Sequence, residues 1–160
     1  MVDHKSSDEA QPELVTLVVR RMIRASPERL FEAWTKPDQL KQWWGPESVT
    51  CISAEVDLRV GGRYRIANHF PDGSVVWIIG EFQVIEPPHR LTYTWQIEES
   101  SEPSELVTVR FERRDSATEV IVTHTRIRDR ATRDRHEKGW LGCLDGLLEY
   151  LGGRIADDQC

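Results

Sequence analysis

The chain has 160 residues and a formal net charge of −6 at pH 7, with 39% hydrophobic and 30% charged residues. This length and composition predict one globular domain and exclude a disordered chain. The acidic balance argues against binding to nucleic acid or to an anionic membrane, which both need a basic face, and no apolar run reaches the roughly 18 residues of a membrane-spanning helix.

Between residues 14 and 46, the sequence predicts a strand followed by two short helices. β-Branched residues are frequent in the segment Leu14–Arg24, which is typical of a strand. Ser26 is suited to cap a helix that begins at Pro27. A second helix is expected to begin at Pro37 and to end at the glycine-proline pair that follows it.

From residue 49 onward, hydrophobic residues alternate with a period of two, which predicts strands buried on one face. A Pro-Asp-Gly turn at residues 71–73 is the clearest hairpin signal. With the first strand, six further strands predict one antiparallel meander of seven. The six are Val49–Val60, Arg63–Phe70, Ser74–Ile85, Arg90–Ile97, Leu106–Arg113 and Thr118–Ile127.

The last predicted element is a helix over Ala131–Leu151. Its apolar residues recur three and four positions apart from Trp140 onward, which predicts one buried face. About 20 helical residues span roughly 30 Å, enough to cross the sheet. Gly139, Gly142 and Gly146 each cost about 1 kcal/mol of helix propensity. We therefore expect these glycines to permit close approach to a strand or a ligand.

These elements predict an α+β domain in which a curved antiparallel sheet of seven strands wraps around the long C-terminal helix. Two short helices follow the first strand, and a ligand-sized apolar cavity is expected between sheet and helix. Residues 1–12 are polar and are expected to form a disordered leader. The domain is expected over residues 13–155, with residues 156–160 as a tail.

Several short motifs resemble those of one family. They are Trp43-Trp44-Gly45-Pro46, the segment Glu55–Tyr64, Pro71-Asp72-Gly73, Gly80-Glu81-Phe82, the segment Glu86–Leu91 and Lys138-Gly139-Trp140. Their order between Val15 and Leu151 is similar to that of the activator of 90-kDa heat-shock-protein ATPase homologue domain. That family belongs to the SRPBCC superfamily, with START domains and birch-pollen-allergen-like proteins. The resemblance implies the helix-grip fold, which agrees with the pattern of elements.

The resemblance also implies a function, because the recurring role of the wider group is to hold a small molecule in the cavity. We therefore expect a non-enzymatic protein that binds a small apolar or aromatic ligand between the sheet and the C-terminal helix. Two alternatives stay open. One is a stress-response module, similar to a co-chaperone, with a chaperone as its partner. The other is a cyclase- or hydrolase-type enzyme that uses the cavity.

Ten residues are expected to line the ligand cavity. Alternation places His124 on the same face as Val120 and Val122, so it is either a core histidine bonded to a neighbour or a hydrogen-bonding group for the ligand. The aromatic members are equally compatible with ordinary core packing. The ten are Trp44, Tyr64, Asn68, Trp77, Tyr93, Trp95, Val109, His124, Trp140 and Leu144.

No metal, cofactor or catalytic residue is expected. The five histidines show no metal-ligand spacing and no HExxH motif. Cys51, Cys143 and Cys160 are odd in number and form no CxxC pair, which predicts reduced thiols and a cytoplasmic location. A monomer or a homodimer is expected, without a nucleic-acid or membrane partner.

Overall fold

The computed structural model describes residues 14–45 and 48–151. The predicted leader, the tail and Cys160 lie outside the described residues. The elements are β1 (Val15–Ile23), α1 (Pro27–Thr35), α2 (Pro37–Trp43), β2 (Thr50–Val56), β3 (Arg63–His69), β4 (Val75–Glu86), β5 (Arg90–Ile97), β6 (Glu105–Arg114), β7 (Ala117–Ile127) and α3 (Arg130–Tyr150). The predicted α+β order, with two short helices after the first strand and one long helix at the end, is confirmed.

The seven strands form one antiparallel sheet in the order β1-β7-β6-β5-β4-β3-β2. Strands β2 to β7 form the predicted meander, but β1 pairs with β7 rather than with β2, and Val19 lies opposite Val122. The chain therefore crosses from one edge of the sheet to the other between β1 and β2. Helices α1 and α2 make this crossing, and they pack on β6 and β2 respectively.

Strand β2 ends at Val56 instead of at Val60 because the chain turns tightly after it. The amide of Gly62 donates a 2.8 Å hydrogen bond to the Arg59 carbonyl. A Cβ on Gly62 would lie 2.1 Å from the Asp57 carbonyl oxygen, so this turn requires glycine. Asp57 and Arg59 form an ion pair at 2.9 Å within the turn.

Side-chain caps hold the starts of α1 and α3. The Ser26 hydroxyl accepts a hydrogen bond from the Arg29 amide at 3.1 Å at the start of α1, as predicted. Asp129 accepts one from the Thr132 amide at 2.8 Å at the start of α3. In the described part of the chain, no helix is long and apolar enough to cross a membrane.

The glycines of α3 have different neighbours. A Cβ on Gly146 would lie 2.5 Å from the carbonyl oxygen of Trp43, so the expected close approach is made to the end of α2 rather than to a strand or a ligand. A Cβ on Gly139 would meet no atom within 4 Å. Gly139 therefore leaves open space beside the helix.

The core between the sheet and the helices is rich in tryptophan. The ring centroids of Trp34 and Trp43 are 4.8 Å apart, those of Trp34 and Trp140 are 6.1 Å apart, and those of Trp44 and Trp140 are 5.6 Å apart. Trp43 donates its indole N–H to the Ala33 carbonyl at 2.9 Å. These contacts hold α1, α2 and α3 together over the sheet.

Candidate functional site

The interior cavity is much smaller than expected. Its volume is about 20 Å³, which is room for about one water molecule. Trp34 and Trp44 fill the space that the sequence analysis assigned to a ligand, and Trp34 donates its N–H to the Tyr93 hydroxyl at 3.2 Å. An enclosed ligand site is therefore absent from this part of the described structure.

A wider space lies beside the cavity. It is an open groove of about 250 Å³ between α3 and strands β3 to β5, here called the aromatic groove. Trp44, Ile78 and Trp95 line both the cavity and the groove. The residues that line the aromatic groove include Trp44, Trp95, His124, His136, Gly139 and Trp140.

Three polar side chains meet at one side of the aromatic groove and form the Glu–His cluster, which consists of Glu105, His124 and His136. One oxygen of Glu105, Oε1, lies 2.7 Å from Nε2 of His124 and 2.9 Å from Nε2 of His136. The two imidazole rings stack with their centroids 4.6 Å apart. Trp140 completes the arrangement, because its indole N–H lies 3.0 Å from Nδ1 of His124.

The partners of His124 determine its tautomer. An indole N–H is only a donor, so Nδ1 of His124 accepts from Trp140 and carries no proton. The proton of the neutral ring is therefore on Nε2, which donates it to Glu105. The side chain of His124 is 1% exposed. Of the two interpretations of His124, the core histidine bonded to its neighbours is the one that the geometry shows.

Burial and hydrogen bonding set the charges of the cluster. Burial raises the pKa of Glu105, but the hydrogen bonds from His124 and His136 outweigh burial and lower the pKa to about 2. Burial lowers the pKa of His124, against the opposing effect of its hydrogen bond to Glu105. At neutral pH, the cluster therefore combines an ionised carboxylate with a neutral His124.

A divalent cation fits the cluster poorly. Ligand atoms of Glu105, His124 and His136 lie within 4.8 Å of one another, as metal binding would require. A histidine that binds a metal through one nitrogen normally donates the proton on the other. Trp140 instead presents a donor to Nδ1 of His124, which leaves no lone pair on Nε2 of the neutral ring. The donor set therefore favours a hydrogen-bonded chain over a metal centre.

Seven of the ten predicted residues lie at the cavity or the groove. Tyr64 and Tyr93 line the small cavity, while Asn68, His124 and Trp140 line the groove. Trp44 and Trp95 line both spaces, and the Trp44 N–H donates to the Asn68 side-chain oxygen at 3.1 Å. The sequence pattern therefore brought most of the predicted residues to one region.

Three of the predicted residues lie elsewhere. Trp77 is on the opposite face of the sheet, where the Arg65 guanidinium is 3.8 Å from its ring centroid. Because side chains alternate along a strand and Ile78 lines the groove, Trp77 points away from it. Val109 and Leu144 are fully buried in the core and line neither space. None of these three side chains therefore lines the cavity or the aromatic groove.

Two residues of the groove, Glu105 and His136, are not among the predicted site residues, whereas Gly139 was expected to lie beside a strand or a ligand. Strand register contains a signal for Glu105, because Val107 pairs with His124 and Glu105 lies two residues before Val107 on the same face. The helical repeat contains a signal for His136, because this residue precedes Trp140 by one turn. Both signals require the pairing of β6 with β7 and the position of α3.

Cys143 lies on α3 at the groove but is not a reactive thiol. It is 4% exposed, and burial raises the pKa of its thiol to about 12. The thiol is therefore protonated at neutral pH, and a thiolate nucleophile is not available at this position.

The comparisons with known proteins agree with the motifs. A family model of activator of Hsp90 ATPase homolog 1-like proteins matches residues 24–152. A solved structure from Chromobacterium violaceum is similar, with 25% identity, a TM-score of 0.78 and coverage of 85% of this chain and 96% of that chain. The AHSA1 protein from Silicibacter pomeroyi has 25% identity, a TM-score of 0.78 and coverage of 86% and 98%.

A third similar structure is that of an HSP90 activator from Plasmodium falciparum, with 28% identity, a TM-score of 0.68 and coverage of 86% of this chain and 96% of that chain. No curated protein matches the chain. The family model covers most of the domain, and the resemblance found in the sequence is confirmed. The chain belongs to the activator of Hsp90 ATPase homolog 1-like family.

Proposed function

We propose that this protein binds a small apolar or aromatic molecule in the aromatic groove, between the sheet and α3, without catalysing a reaction on it. The observation that carries the proposal is the groove itself. Its volume of about 250 Å³ exceeds the roughly 150 Å³ of a dry cavity that holds benzene. Apolar walls with a few polar groups are typical of small-molecule sites.

The walls of the groove support an aromatic ligand in particular. Trp44, Trp95 and Trp140 offer ring surfaces against which a ligand ring can pack. The side chain of His136 is 16% exposed. Its Nε2 donates to Glu105, so Nδ1 is the ring nitrogen left for a polar group of the ligand.

Gly139 provides the test of this proposal. Because a Cβ at this position meets no atom within 4 Å, a larger side chain can occupy the groove without displacing the backbone. We expect wild-type protein to bind indole, measured by titration calorimetry, and Gly139→Phe to lose this binding. Gly139→Ala is the matched control and should retain binding, since a methyl group fills little of the groove.

Two results would contradict the groove as the binding site. Equal affinity of the wild type and Gly139→Phe would place indole elsewhere on the protein. A wild type that binds neither indole nor larger neutral rings, such as naphthalene derivatives, would remove the binding proposal. Circular dichroism of both variants checks that the fold is unchanged.

A second candidate is an interaction module of the co-chaperone type. It is supported by the family model and by the similarity to the HSP90 activator from Plasmodium falciparum. The expected result is retention of the host's 90-kDa chaperone on the immobilised protein and a raised ATPase rate. Gly139→Phe should leave this interaction intact if it uses the outer surface. No retention and an unchanged rate would remove the candidate.

A third candidate is a hydrolase- or cyclase-type reaction in the same groove. It is supported by the hydrogen bond from His136 to Glu105, which orients Nδ1 as a general base. Hydrolysis of 4-nitrophenyl acetate above the rate of free imidazole, lost in His136→Gln, would favour it. A rate that does not depend on His136 would count against it.

A further inference from the structure

We propose that the ligand of the aromatic groove is an aromatic acid, and that its carboxylate is held in a second, adjoining groove by Arg126 and Arg135. This inference rests on the proposed function, because it concerns a polar group on the molecule that the aromatic groove binds. It names the chemical class of the ligand and adds a subsite to the groove.

The second groove, here called the arginine groove, has a volume of about 320 Å³. Arg126, Arg128 and Arg135 line it, together with the acidic residues Glu102 and Glu105. The arginine groove runs from the start of α3 toward the loop between β5 and β6. Its size is sufficient for a carboxylate and the chain atoms that connect it to a ring.

The side chains that line the arginine groove include three arginines and two carboxylates, and the arginines differ in their ion pairing. Arg128 is paired with Glu102 at 3.3 Å and with Asp129 at 3.7 Å. The Glu105 carboxylate is occupied by the two histidines of the Glu–His cluster. Among the described residues, Arg126 and Arg135 have no carboxylate within ion-pair distance. Two guanidinium groups therefore stand outside any ion pair in a chain whose net charge is −6, and the charge of Arg135 also helps to lower the pKa of the Asp129 carboxyl at the start of α3.

Arg126 is placed at the arginine groove by an irregularity in β7. The alternation of Val122 and His124 toward the core would turn Arg126 inward as well. Instead, the register of β7 with β1 shifts by one residue after His124, and Arg126 has a φ of 66°. As a result, Ile127 is buried and Arg126 is exposed. Bulges of this kind re-aim side chains beside functional sites.

The two grooves are continuous. Trp95, Ile97, Arg135 and His136 line both of them. A hydrogen bond of 3.1 Å from the Arg135 guanidinium to the Thr132 hydroxyl holds this side chain along α3 at the junction. One molecule can therefore pack its ring against the tryptophans and direct its carboxylate toward the arginines.

Charge complementarity selects the carboxylate. A guanidinium recognises a carboxylate through charge-assisted, often bidentate hydrogen bonds. An amine in the same position would face two guanidinium groups that have no ion-pair partner. A neutral amide can accept hydrogen bonds but gains no charge attraction. The structure therefore favours acid over amide, and amide over amine, on the same ring.

The test uses three ligands with one ring: indole-3-acetate, its isostere indole-3-acetamide, and tryptamine. We expect wild-type protein to bind the acetate about tenfold more tightly than the acetamide at low salt, and tryptamine most weakly. Arg126→Gln and Arg135→Gln should each reduce the affinity for the acetate and leave that for the acetamide unchanged. Added salt should reduce the advantage of the acetate.

Arg130→Gln is the matched control, because Arg130 is exposed on the same helix and lines neither groove. It removes the same charge and should change nothing. Equal affinity for acetate and acetamide, or variants at Arg126 and Arg135 that behave like Arg130→Gln, would overturn the inference while the binding function stands. If none of the three ligands binds a wild type that does bind a neutral ring, the inference alone is overturned. A wild type that binds neither these ligands nor a neutral ring would overturn both.

Discussion

At the scale of single residues, Trp140 determines the tautomer of His124. Its indole N–H occupies Nδ1 at 3.0 Å, and this contact assigns the ring proton to Nε2. The same indole forms part of the wall of the aromatic groove. One side chain therefore shapes the binding surface and fixes the protonation of the histidine behind it.

Replacing Trp140 by Phe should remove the hydrogen bond that fixes the tautomer of His124. The ring of Phe retains most of the apolar contact but leaves Nδ1 of the buried His124 without a donor, which costs about 1–3 kcal/mol of stability. In ¹⁵N spectra of the imidazole nitrogens, we expect one tautomer of His124 in the wild type and a mixture in Trp140→Phe. A mixture already present in the wild type would contradict the assigned hydrogen bond.

Glu105 should make stability depend on pH in the acid range. Its pKa lies at about 2 in the folded protein against a reference value of 4.5, so its contribution is present above pH 4.5 and is lost as the pH falls toward 2. We expect the free energy of unfolding of the wild type to fall in this range, by on the order of 3 kcal/mol. Glu105→Gln should lack this part of the loss.

Urea unfolding at pH 4.5 and at pH 2.5 measures the difference. Both proteins share every other titrating carboxyl group, so the loss of stability in Glu105→Gln shows how much those other groups contribute. An equal loss of stability in the two proteins would mean that Glu105 has an ordinary pKa. The cluster would then be weaker than its distances of 2.7 and 2.9 Å indicate.

At the scale of elements, α3 is closely packed near its C-terminal end and has open space near its middle. The backbone of Gly146 approaches the Trp43 carbonyl so closely that a Cβ would lie 2.5 Å from it. Gly139, two turns earlier, adjoins the aromatic groove. The same residue type therefore serves packing between helices at one position and the width of a binding surface at the other.

Alanine at these two positions should have opposite effects. Gly146→Ala must separate α3 from α2, and we expect a loss of about 1–3 kcal/mol in spite of the better helix propensity. Gly139→Ala should gain up to about 1 kcal/mol, because it improves propensity without a clash. Thermal unfolding of both variants checks this, and a stabilised Gly146→Ala would contradict the close contact between α2 and α3.

The local sequence pattern was sufficient to predict which segments form strands, but it was insufficient to predict how these strands pair. Strand β5 begins at Arg90 and ends at Ile97 as predicted, because its alternation is unbroken. The partner of β1 could not be predicted, since pairing with β7 depends on contacts about 100 residues apart in sequence. The bulge beside Arg126 was likewise invisible, because it exists only relative to the register of β1.

At the scale of the whole molecule, the fold places the binding surface at the edge of the core rather than inside it. The pattern of elements predicts a ligand-sized apolar cavity between the sheet and α3, but the structure leaves only about 20 Å³ there. Side-chain volume explains the difference. Trp34 lies on α1 and Trp44 directly follows α2. The sequence pattern predicts the amphipathic faces of these helices but not how far each indole reaches into the interior.

Trp44→Ala should join the cavity to the groove, because Trp44 lines both. We expect a loss of about 3–5 kcal/mol in stability and tighter binding of a larger ring, such as an anthracene derivative, than in the wild type. Ile97→Ala is the control, because Ile97 lines the two grooves but not the cavity. Unchanged affinity for the larger ring in Trp44→Ala would show that other side chains close the space.

The boundary between cavity and groove consists of three side chains, Trp44, Ile78 and Trp95. Because this wall consists of side chains rather than of backbone, a single substitution can change its shape while every strand and helix stays in place. Members of the family with smaller residues at these three positions should therefore have deep pockets, and members with larger ones shallow pockets. Differences in what such proteins recognise can thus arise from point substitutions on one unchanged scaffold.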